Sequence, residues 1–214
     1  MADDRLFQLL DLPEDERTPE WEIEFFKWIV SAQVDLVYPD PKPGPDTWPY
    51  MLLEVKPDGK ESFLNILSWS VERGIGLVIN PMKDLPDYVF PFGMLWFFKE
   101  TGGFLSDNLN YRPTELRIEE GKQYYTGNPN EQYLPLYVRD ILKEFFQQQG
   151  VLAPKLMMLS EDQEVWDLVF SQESLGNPPS HELAGVAEAI AWFLPQHYAV
   201  AILSESAMSG FHKL

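Results

Sequence analysis

The chain has no cysteine, which excludes a disulfide framework, a thiol nucleophile and a thiolate-ligated zinc site. Histidine is scarce: His181, His197 and His212 share no ligand spacing. The His181-Glu182 pair imitates the opening of the HExxH zinc motif, but Gly185 stands where the second histidine would be, so two ligands cannot share one helix face. Cations are also in short supply, with 16 Lys and Arg against 34 Asp and Glu and a formal charge of -18. Without clustered Lys or Arg no surface can release counterions, so nucleic acid and anionic membranes are excluded as partners. No stretch approaches the roughly 18 consecutive apolar residues of a membrane span. The opening MADDRLFQLLDLPEDER is too acidic, and its apolar run too short, for a signal peptide. A soluble, cytoplasmic protein is therefore expected.

Phosphate loops are missing as well. Gly74 and Gly76 in GIGLVINP lack the third glycine and the following helix of a dinucleotide fingerprint. Gly74 reads instead as a helix C-cap and Gly76 as a close-packed strand residue. No cofactor or metal is expected. Carboxylate pairs such as Asp84 and Asp87 are so numerous in an acidic chain that none singles out a catalytic site, although a hydrolase built from dispersed carboxylates stays open.

What the chain does have is apolar and aromatic mass: 45% hydrophobic residues, including 14 Phe, 9 Tyr and 7 Trp, enough to fold around a real core. Thr18-Pro19 predicts the start of a helix over 19–33. Residues 34–38 predict a short strand, stopped by PDPKPGPDTWP, where repeated proline argues against helix and ladder alike. Strand 50–56, a helix from Phe63 closed at Gly74, and a doubly buried strand over 75–80 follow. A helix is expected from Pro91 to the paired Gly102 and Gly103. A hairpin over 115–125 and a polar linker lead to a boundary near 127–133.

Beyond it the pattern predicts a helix striped by Val138, Ile141, Leu142 and Phe145, a hairpin of strands 151–159 and 165–170, a helix capped by Ser180, and a last strand over 198–203. The expected fold class is thus α+β, with a first module over 1–126 and a second over 127–214. Each is ordered helix, strand, strand, helix, strand, and each sheet is mixed with helices packed on it. The offset of about 120 residues between the modules raises an internal repeat.

Most tryptophans fall inside predicted elements. Trp48 does not, and with Tyr50 and Asp46 in the Pro-rich loop it is the candidate exposed anchor for a partner; the alternative is that the loop packs back onto the sheet.

The segments FLNILSWSVERGIGLVINP and LPLYVRDILKEFFQQQGVLAPKLMML resemble the SseB family, bacterial proteins named for enhanced serine sensitivity. The likeness covers about residues 50–203 and lies in arrangement more than in motif. It implies a small cytoplasmic α+β protein of bacterial type without established catalysis, and it carries no catalytic residues to this chain. The functional expectation is a non-enzymatic protein-binding or regulatory module. Its partner is another protein, a basic one by charge, and a homodimer is also open. An immunity-type inhibitor of a basic toxin or enzyme is the alternative.

Overall fold

The structure is a computed structural model that describes residues 2–105, 118 and 121–214. The chain divides into two compact units, Met1–Leu105 and Ser106–Leu214. The sequence placed the division at 126/127. It lies earlier because Tyr125–Gly127, expected as linker, is already laddered onto a strand of the second unit. Of the predicted hairpin over 115–125, residues 115–117, 119 and 120 lie outside the described residues, and of the rest only Tyr125 is in a strand.

The first unit opens with helix α1 (Ala2–Leu10), where only an acidic leader was expected. Leu6, Leu9 and Leu10 bury one side of it, as an amphipathic helix requires. Helix α2 (Pro19–Ile29) starts where the cap signal put it, with Thr18 Oγ1 accepting from Trp21 N at 3.4 Å. It stops four residues early, because β1 (Gln33–Leu36) needs extended backbone. Then come β2 (Lys42–Pro43), β3 (Pro49–Val55), β4 (Glu61–Ser62), α3 (Phe63–Val71), β5 (Gly76–Ile79), β6 (Tyr88–Phe90) and α4 (Phe92–Thr101).

The strands form one sheet of order β4-β1-β3-β5-β6, with β2 pairing β3. The Pro-rich loop thus contributes a short ladder at its edge, Lys42 opposite Tyr50 and Pro43 opposite Pro49. Proline is tolerated there because its missing N–H need not face a partner strand. β5 is buried at every position and lies inside the sheet, as its unbroken apolar run predicted. The strand β6, unforeseen, covers its outer side antiparallel, Leu77 opposite Phe90 and Ile79 opposite Tyr88. The core on the helix-bearing face is aromatic: Phe25, Phe63, Phe90 and Phe92 are almost wholly buried, and Phe25 stacks on Trp21 at 5.0 Å.

The second unit contains β7 (Tyr125–Gly127), α5 (Leu136–Gln148), β8 (Lys155–Ser160), β9 (Asp167–Ser171), α6 (Leu183–Ala191), β10 (Ala199–Leu203) and β11 (His212–Lys213). Gly150, at φ 79°, ends α5 in the left-handed region that glycine enters without strain. The cap expected at Ser180 does not form: α6 begins later, behind Glu182, and no side chain caps it. The sheet order is β10-β9-β8-β11, with β7 also on β8.

Both units therefore hold the same α-β-β-α-β core. In the first, β1 runs antiparallel to β3 and β3 parallel to β5. In the second, β8 runs antiparallel to β9 and β9 parallel to β10. The fold is α+β, with two mixed sheets and helices packed on them.

Candidate functional site

Trp48, Tyr50 and Asp46 do come together, but as a lock that holds the loop down. Trp48 and Tyr50 are only 3% and 4% exposed, so the exposed anchor expected from the sequence is corrected. The physical reason is the polar end of each ring, which finds a partner inside the fold. The Trp48 indole donates to Gly74 O at 2.5 Å, and the Tyr50 hydroxyl donates to Asp46 Oδ2 at 2.7 Å. Asp46 Oδ1 meanwhile accepts from Trp48 N at 3.0 Å. Of the three, Asp46 alone is exposed.

A second cluster forms where β5 turns toward β6. Asn80 takes the left-handed conformation at φ 51°, which asparagine tolerates better than most residues. Its Oδ1 accepts from Val55 N at 2.9 Å and its Nδ2 donates to Asp87 Oδ2 at 2.6 Å. Asp87, a buried carboxylate, also accepts from Arg17 Nη2 at 2.5 Å and Lys83 Nζ at 2.7 Å. Arg17 and Lys83 reach on to the carbonyls of Leu12 and Leu10. The cleft around them is about 370 Å³. Its cations already hold a carboxylate and its carbonyls already accept, so the cluster clamps the end of α1 to the β5–β6 loop.

In the second unit, Ser171 Oγ donates to Glu205 Oε1 at 2.6 Å, and Lys155 Nζ lies 3.0 Å from both Glu205 oxygens. The serine hydroxyl, donated to a carboxylate, and Ser174 N, donating to it at 3.0 Å, shape the turn after β9. Among the described residues no three His, Asp or Glu side chains gather as a metal would require, and no helix is long and apolar enough to cross a membrane.

The remaining feature is a sheet edge. β10 is Ala-Val-Ala-Ile-Leu, and it ends its sheet with β9 on one side and no described strand on the other. Leu203 O accepts from Gln172 N at 2.9 Å. By the alternation of a strand, Ala199, Ala201 and Leu203 face β9, while Val200 and Ile202 each turn an N–H and a C=O outward. No known family, curated protein or solved structure matches this chain.

The comparison within the molecule says more. The strand equivalent to β10 in the first unit is β5, whose outer side is covered by β6 after a connection running from Asn80 to Asp87. After β10 the chain instead crosses to the far edge and pairs as β11 with β8. On the way Met208 and Phe211 pack on the face formed by Met157, Leu159 and Val169. The same core thus carries a strand on one of the two equivalent edges, and on the other no strand is paired among the described residues. β10 carries no lysine, no proline and no charge, residues that often blunt an edge. Sequence reasoning missed it because an apolar run over 198–203 reads the same for an interior strand as for an edge; only topology separates them.

Proposed function

We propose that this chain is a non-enzymatic protein-binding module that takes an extended segment of a partner protein onto the outer edge of β10. The observation that supports this reading is the likeness of the strand cores in the two units. Where the first completes its core with an antiparallel strand, the second has no described strand on the same edge, and the outward main-chain groups of Val200 and Ile202 pair with no described strand. Adding a strand from a partner satisfies those groups through backbone bonds, while side-chain positions above and below the sheet set selectivity. The likeness of the two segments to the SseB family accompanies this reading as a proposal and supplies no residues to it.

The test uses the full chain and peptides selected from a displayed random library. Val200→Pro removes an outward N–H that no described strand uses, and proline is accepted at such edge positions. Its expected effect is a loss of peptide binding of at least about tenfold, with the melting temperature little changed. Ile202→Pro is expected to do the same. Selected peptides that bind both variants as well as the parent would overturn the reading.

A further inference from the structure

The ends of β10 differ in charge. Just past Leu203 lies Glu173, exposed, with its carboxylate accepting from Ser204 Oγ at 2.5 Å and from Glu205 N at 2.8 Å. The Ser204 hydroxyl foremost, then the Glu205 amide, hold this carboxyl below its usual range. Glu173 makes no ion pair with the described residues. Its neighbour Glu205 does, with Lys155. At the other end of the strand stand His197 and Tyr198, with Asp167 half-buried opposite Ala199. The exposed, cation-free carboxylate therefore marks the C-terminal end of β10, in a chain of net charge -18.

A strand added antiparallel, as β6 is added to β5, has its N-terminal end at the end of β10 past which that carboxylate stands. We infer that the occupant of the β10 edge is an extended segment of a partner protein, antiparallel to β10, with Lys or Arg immediately preceding its β-forming residues. This rests on the edge-docking reading above and adds the partner's chemistry and direction. Charge complementarity selects a cation over an anion at Glu173 and speeds encounter with a basic partner. It also disfavours a second copy of this chain, because two chains of net charge -18 repel at low ionic strength.

Three synthetic peptides of one composition class test it by fluorescence anisotropy at low ionic strength: Lys-Lys-Val-Thr-Val-Thr-Val, Val-Thr-Val-Thr-Val-Lys-Lys and Glu-Glu-Val-Thr-Val-Thr-Val. The first is expected to bind about tenfold or more tighter than either other. Its advantage should shrink at high salt, where exposed charges are screened. Glu173→Gln, which keeps an oxygen acceptor for Glu205 N, is expected to erase the preference while leaving the fold intact. Equal binding of all three, lost together in Val200→Pro, would overturn the charge and direction and leave edge docking standing. No binding by any of them would count against edge docking itself. A free chain that sediments as a dimer, reverted to monomer by Val200→Pro, would show that the occupant is a second copy and would overturn the inference.

Discussion

The Trp48 indole donates into a buried carbonyl, and the consequence is confined to one residue pair. Trp48→Phe keeps most of the ring but leaves Gly74 O without its donor. The cost expected for an unsatisfied buried acceptor is about 1–3 kcal/mol, read as a lower urea midpoint at unchanged slope. An exposed docking anchor would show no such loss. The same residue shows where reading the sequence ran short. Trp48, Tyr50 and Asp46 were legible only as neighbours in the Pro-rich loop; that Asp46 bonds both of the others is seen in the structure. Whether the group faced outward or inward depended on Gly74 and Gly76, which lie far along the chain. Gly76 admits the Tyr50 ring where a Cβ would strike it and would stand 2.9 Å from Phe90 O.

At the scale of elements, the clamp between α1, the start of α2 and the β5–β6 loop turns on Asp87. Its partner Arg17 is largely buried, 14% exposed at its side chain, and also lies over the Trp21 ring at 4.6 Å. Asp87→Ala strands that guanidinium, and removing one partner of a buried pair costs about 3–5 kcal/mol. Denaturant unfolding should register a loss of this size, and amide exchange should show α1 loosening first. Lys83, 44% exposed, adds little to the loss. Helix α2 was legible because its cap is local, Thr18 accepting from a backbone N–H three residues on, and α3 because its apolar spacing from Phe63 runs up to Gly74. The strand β6 and helix α1 were not. A three-residue strand beside a proline carries almost no periodic signal, and α1 shows its apolar stripe only once α2 is present to cover it.

For the whole molecule, the helix-strand-strand-helix-strand order of both halves could be read from apolar periodicity, and the order and sense of the three core strands then proved the same in both units. Periodicity cannot say which strand ends a sheet. The open edge of β10 was therefore illegible although its residues were correctly read as a strand. The path of the chain after Leu203 runs toward β8 and away from β10, so no strand of the described residues pairs that edge. The most direct measurement is residue-resolved amide exchange of the full chain with and without Lys-Lys-Val-Thr-Val-Thr-Val. The account expects the amides of Val200 and Ile202 to exchange at least about tenfold more slowly in the complex, while Ala201 and Leu203, already bonded to β9, change little. Unchanged exchange at Val200 and Ile202 in a saturated complex would contradict it.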